Sequence, residues 1–172
     1  MIFALTGFMA SGKTSFGRAV ADNLGYHFID LDKMIEERYG TPAEIFSQHG
    51  EAFFRDMESR CLREALSCGR DTILALGGGS ILRDENRRVL KASAKVIWLA
   101  TSIEIILSEL DNTPRPLVKG LDRNGIEALY DSRKPLYKEI ADSTVVIDSF
   151  DYSIAIGNLQ KAVLALKGGN SL

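Results

Sequence analysis

The sequence predicts an α/β fold, a parallel sheet of five strands with helices on both faces. Three observations carry that expectation. Short apolar runs alternate with amphipathic stretches along the 172 residues. The first run, Ile2-Phe3-Ala4-Leu5-Thr6, leads straight into Gly7-Phe8-Met9-Ala10-Ser11-Gly12-Lys13-Thr14, which matches G-x-x-x-x-G-K-[ST]. A helical pattern follows at once, with Phe16, Ala19, Val20 and Leu24 on one face. Strand, glycine loop and helix together are the context in which this string holds a polyphosphate.

After that first unit, His27-Phe28-Ile29-Asp30 reads as a short strand and Lys33 to Tyr39 as a helix ended by Gly40. Thr41-Pro42-Ala43-Glu44 is a capping box with proline at the first helical position, so a new helix starts there. A longer helix runs from about Glu51 to Leu66 and stops near Gly69. Asp71 to Leu76 is a buried-type strand broken by Gly77-Gly78-Gly79. A helix over Asp84 to Lys91 leads to the strand Lys95 to Ala100, and Thr101 to Glu104 reads as a second capping box opening a helix to about Leu110. Asp111 to Gly120 holds two prolines and no apolar period, which predicts a mobile loop. Two helices follow, near Asp122 to Tyr130 and from Arg133 to Ala141, the second with Pro135 in its first turn. Thr144 to Asp148 is the last strand and Tyr152 to Leu166 the last helix.

The length suits one domain over 1–172, and the composition, 45% apolar and 26% charged, is that of a globular protein. A net charge of −2 gives no electrostatic case for a nucleic-acid partner. The apolar runs, such as Val96 to Ala100, are too short to span a membrane, and a strand beginning next to Met1 leaves no room for a signal peptide. Cys61 and Cys68 read as free thiols of a reducing, cytoplasmic compartment.

The glycine loop dictates its chemistry. Its backbone N–H groups turn inward around the phosphates, and the helix start at Lys13 adds partial positive charge. Lys13 is expected on the β- and γ-phosphates and Thr14 on Mg²⁺. The third strand carries no acid at its end, and no Asn-Lys-x-Asp string is present to read guanine. The carboxylates come instead from Asp30-Leu31-Asp32, where strand alternation would send both acids to one side. The carboxyl ends of parallel strands face the ligand crevice, so one acid can serve near Mg²⁺ and the other at a substrate hydroxyl. Helix capping ahead of Lys33 is the competing role for either.

Three arginines stand out. Arg55 lies three residues before Glu58, a spacing that lets the acid orient the guanidinium. Arg115 sits between Pro114 and Pro116, and Arg133 lies one turn before Tyr137. Arginine suits a bidentate grip on carboxylates and phosphates.

In combination these strings resemble the shikimate kinase family. They run in that family's order: the glycine loop, Asp30 and Asp32, Gly40, Glu44-Ile45-Phe46, Gly50-Glu51, Phe54-Arg55 with Glu58, Gly77 to Gly79, Arg115-Pro116-Leu117, and Arg133 with Tyr137. The resemblance spans roughly Met1 to Asp148. It implies a P-loop NTPase three-layer sandwich of the nucleoside-monophosphate-kinase type, strand order 2-3-1-4-5, with a substrate-binding insertion at about 31–60 and a mobile lid at about 111–121. It implies transfer of the ATP γ-phosphoryl group to the 3-hydroxyl of shikimate, on the route to chorismate, by a monomer. By the same resemblance Ala10, Ser11, Gly12, Lys13, Thr14, Ser15 and Arg115 hold ATP, with Lys13, Asp32 and Arg115 catalytic. Asp32, Arg55, Gly78, Gly79 and Arg133 bind shikimate, while Thr14 and Asp30 serve Mg²⁺, Asp30 through a bound water.

Two positions depart from the family. Ala10 stands where it usually has glycine, at a cost of about 1 kcal/mol if φ there is positive. Ser108 stands where it often has an arginine that stacks on adenine, which leaves the base to backbone and apolar contacts from the Ser149-Phe150 segment. The rival readings are a gluconate or nucleotide kinase, and a non-catalytic nucleotide-binding module.

Overall fold

Alternation along the strands sorts the apolar side chains onto two faces. Phe3 and Leu5 of β1 (Ile2–Thr6), Ile73 of β3 (Thr72–Ala75), and Ile97 and Leu99 of β4 (Lys95–Thr101) form one core cluster. Their neighbours Ala4, Leu74, Val96 and Trp98 belong to a second. With both faces apolar, helices must cover both. The computed structural model describes residues 1–112 and 120–169 and shows that arrangement. The sheet runs β2-β3-β1-β4-β5, with β2 at His27–Asp30 and β5 at Ser143–Ile147, and all neighbours are parallel. This is the expected order. Helices α1 (Lys13–Leu24) and α7 (Tyr152–Gly168) cover the first face. The second is covered by α2 (Leu31–Tyr39), α3 (Pro42–Ala65), α4 (Asp84–Ser93) and α6 (Arg123–Ile140). Helix α5 (Ile103–Asn112) joins the two, Ile105 in one cluster and Ile106 and Leu110 in the other. Among the described residues no helix is long and apolar enough to cross a membrane.

The capping box at Thr41 and Glu44 forms as expected. The helix it opens and the one from Glu51 run on as α3, kinked at Gly50, whose φ of 81° breaks the ladder.

Elsewhere tertiary packing overrides the local expectation. The two helices expected around Pro135 are one, α6, and Arg133 lies inside it rather than at its start. Ile126, Tyr130, Arg133, Tyr137 and Ile140 are buried at alternating spacings of four and three, so a continuous stripe crosses the proline. An internal proline costs about 3 kcal/mol. Burying each large apolar side chain returns about 1.5–3 kcal/mol, and the stripe holds four. Thr101 does not cap α5 either. It is the last residue of β4, and its hydroxyl donates to the Ser11 carbonyl at 3.1 Å.

In a parallel sheet all strands end at one edge. That edge collects the glycine loop after β1, Asp30 closing β2, the glycine triplet after β3 and Thr101 closing β4.

Candidate active site

Gly12 adopts φ 87° to turn the loop into α1, and a Cβ there would run into the Phe16 ring. No side chain caps this helix, so its first N–H groups are left for a ligand. Lys13 is 8% exposed and bends back over the loop, donating to the carbonyls of Gly7 (2.9 Å) and Phe8 (2.6 Å) and to Ser11 Oγ (3.3 Å). Ala10 has φ 58°, the one non-glycine residue with positive φ among the described residues. Alanine in this left-handed conformation is strained, by about 1–2 kcal/mol. The loop is also braced from behind, since Tyr130 donates its hydroxyl to the Thr101 carbonyl at 2.9 Å and Thr101 reaches Ser11. Burial pushes the Tyr130 phenol up to about 12, so it remains a donor at neutral pH.

The two acids reach the site by different means. Strand β2 ends at Asp30, so Asp32 is placed by the first turn of α2 and not by strand alternation. Asp30 does two jobs. Its Oδ1 caps α2 by accepting the Lys33 N–H at 3.1 Å, and its Oδ2 accepts the Thr14 hydroxyl at 2.6 Å. Asp32 lies against the glycine triplet, where a Cβ on Gly77 would stand 2.5 Å from Oδ1.

Arg55 is 7% exposed and lies flat over Gly79, which has room for it only as glycine: a Cβ would sit 2.5 Å from Nη1. Its Nη1 donates to Glu58 Oε2 at 2.8 Å and its Nη2 to Glu51 at 3.3 Å. Arg133 faces it from α6, 5.5 Å above the Phe8 ring, with Nη1 donating to the Gly78 carbonyl at 3.3 Å. The Tyr137 hydroxyl donates to that same carbonyl at 3.2 Å. Burial raises the Tyr137 phenol far above its ordinary range, so it too acts only as a donor.

Two cavities meet here. The larger, about 300 Å³, follows Ala10, Ser11, Gly12, Lys13, Thr14 and Ser15 and extends toward Ile105, Glu109, Ile147 and Tyr152. The smaller, about 180 Å³, is lined by Arg55, Glu58, Gly79, Arg133, Phe46 and Phe54, among others. Met9, Asp32 and Gly78 line both. An anionic chain fits the first and a small carboxylate the second, with Asp32 at the junction.

Apart from the Ser149-Phe150 segment, the expected binding residues within the described part converge here. Arg115 and the lid stretch 113–119 lie outside the described residues. Phe150, expected against the base, is 61% exposed and does not line the cavity, whereas Tyr152 does, its hydroxyl donating to Glu109 at 2.6 Å. Sequence reasoning named Met9 and Phe46 only as members of longer strings, and gave no site role to Met9 at the junction, Phe46 in the smaller cavity or Ser80 behind it. These contacts join separate elements, and no local pattern signals them.

Among the described residues no three His, Cys, Asp or Glu side chains gather to hold a metal ion. Thr14 and Asp30 together offer a hydroxyl and a carboxylate beside the phosphate loop. That hard-oxygen pair fits a Mg²⁺ carried in on phosphates, which needs one or two protein ligands.

The family model for shikimate kinase matches residues 9–162. A shikimate kinase from Chromobacterium violaceum is 40% identical over 165 residues, covering 94% of this chain and 89% of its own. One from Dictyoglomus turgidum is 39% identical over 152 residues, 86% of this chain and 88% of its own. Among solved structures, shikimate kinase from Acinetobacter baumannii in complex with shikimate superposes with a TM-score of 0.87 at 34% identity, over 99% of this chain and 94% of the other.

Proposed function

The chain belongs to the shikimate kinase family, and from that premise we propose how its residues carry the ATP γ-phosphoryl group to the 3-hydroxyl of shikimate. One observation carries the reading: a phosphate-loop cavity and an arginine-lined cavity open onto each other at Asp32 and Gly78.

Ala10 to Ser15 wrap the triphosphate, and Lys13 exchanges the loop carbonyls for the β- and γ-phosphates. Arg55 and Arg133 grip the shikimate carboxylate from α3 and α6. Gly78 and Gly79 present bare backbone to the ring. Asp32 binds the ring hydroxyls, aims the 3-hydroxyl at the γ-phosphorus and accepts its proton. Phosphoryl transfer is mostly positioning and charge stabilisation, so fixed cations matter more than covalent chemistry. Thr14 and Asp30 would hold Mg²⁺, which neutralises charge on the phosphates. Arg115 adds a further cation at the phosphates, by family resemblance. Segment 31–60 is the acceptor-binding insertion, and the enzyme works as a cytoplasmic monomer.

A coupled assay of ADP release, with shikimate, gluconate and CMP offered separately, tests the reading. Turnover dependent on shikimate alone is expected. Preference for gluconate or CMP would reassign the acceptor, and the absence of ADP release with all three would leave a nucleotide-binding module.

A further inference from the structure

Glu58 is 1% exposed, and both its oxygens are engaged. Oε2 receives Arg55 Nη1 at 2.8 Å, and Oε1 receives the hydroxyl of Ser80 at 2.7 Å. Ser80 is itself fully buried, with its backbone bonded on both sides. Its N–H donates to the Gly77 carbonyl at 3.1 Å, and its own carbonyl accepts from Asn86 Nδ2 at 3.0 Å. Bonds thus run from α4 through Asn86, Ser80 and Glu58 to the guanidinium that lines the smaller cavity.

We propose that Ser80 is a positioning residue for acceptor recognition, holding Glu58, and through it Arg55, in the pose that binds the acceptor carboxylate. A lone guanidinium on a carboxylate can slide between monodentate and bidentate arrangements. With Oε1 occupied by Ser80, only Oε2 is left to Arg55: it takes Nη1, while Nη2 donates to Glu51 at 3.3 Å and the guanidinium lines the smaller cavity. Without the hydroxyl, Oε1 is buried and short of a donor, and it competes for those same N–H groups. The role rests on Arg55 binding the acceptor carboxylate, as proposed above.

Steady-state kinetics of the chain with shikimate and ATP test it. Ser80→Ala should raise the KM for shikimate about 5- to 20-fold, with much smaller changes in kcat and in the KM for ATP, because the contact it tunes acts in ground and transition states alike. Ser80→Cys, matched in size but a weak donor, should follow the alanine variant, and it serves if the alanine variant folds poorly. In an Arg55→Lys background Ser80→Ala should add less than about 2-fold, since residues in one network are not additive. A wild-type KM in both Ser80 variants, or a full effect in the Arg55→Lys background, overturns the role while shikimate-dependent turnover by the wild type leaves the activity standing. Lowered stability with unchanged KM would show packing alone and also overturn it.

Discussion

Thr14 donates its hydroxyl to Asp30 across 2.6 Å, tying the first turn of α1 to the residue that caps α2. One carboxylate thus serves two roles, which two substitutions separate. Asp30→Asn retains a good N-cap and should leave stability within about 0.5 kcal/mol, whereas Asp30→Ala should cost about 1 kcal/mol. Both lose the charge beside the phosphates, so both should need more Mg²⁺ for half-maximal turnover. Chemical denaturation and a Mg²⁺ titration of kcat read the two effects independently, and an unchanged Mg²⁺ requirement in both would confine Asp30 to capping.

Asp32→Asn should fold normally and bind ATP, yet transfer to shikimate should fall by at least ~10²-fold, because an amide cannot take the hydroxyl proton. Asp32 is the acid that lines both cavities, so no neighbour at the junction replaces it. Single-turnover measurement checks this, and near-normal turnover would remove Asp32 from the chemistry.

Alanine at Arg55 or at Arg133 should weaken shikimate binding alike but lower stability unequally. Truncating either removes a charged partner of the carboxylate, a loss of about 2–5 kcal/mol in binding. Of the two, among the described residues, Arg55 alone is paired with a buried acid, Glu58. Arg55→Ala strands that charge and should also cost about 3–5 kcal/mol of folding stability. Arg133 contacts a carbonyl and a ring, and its alanine variant should be far less destabilised. Calorimetry with shikimate together with urea denaturation distinguishes the two.

The sheet order followed from family resemblance, while the strands themselves were legible because apolar runs between helical patterns leave few alternatives. The convergence of Lys13, Asp32, Arg55 and Arg133 was legible through motifs. What stayed hidden depends on contacts between distant elements. Pro135 signals a helix start locally, and only the buried stripe from Ile126 to Ile140 explains why α6 runs through it. Thr101 carries the signature of a cap, yet its hydroxyl is claimed by Ser11, ninety residues earlier. Ser80 looks like any turn serine until Glu58 is seen beside it.

Ala10→Gly should stabilise the protein. Alanine at φ 58° costs about 1–2 kcal/mol, while glycine loses about 0.5–1 kcal/mol more conformational freedom on folding. The balance favours glycine by roughly 0.5–1 kcal/mol, readable as a higher Tm. A lower Tm would mean that the Ala10 methyl makes packing contacts worth more than the strain.

The Tyr130 brace predicts an alkaline limit on stability. Burial raises the phenol from 10 to about 12, because the folded interior disfavours the phenolate. With the folded value above the unfolded one, the unfolded state loses its proton first as pH rises. The contribution is therefore complete below pH 10 and declines as pH climbs from 10 through about 12. Tyr137, also raised by burial, adds to the same decline. Tyr130→Phe keeps the ring against Phe8 but removes both the titration and the bond to Thr101. It should start with a lower Tm at pH 8, by an amount set by one hydrogen bond of about 0.5–1.5 kcal/mol. Between pH 10 and 12 its Tm should then fall less steeply than that of the wild type. Parallel Tm curves over that window would show that Tyr130 ionises as easily in the folded chain as in the unfolded one, and that its hydroxyl is no permanent brace of the phosphate loop.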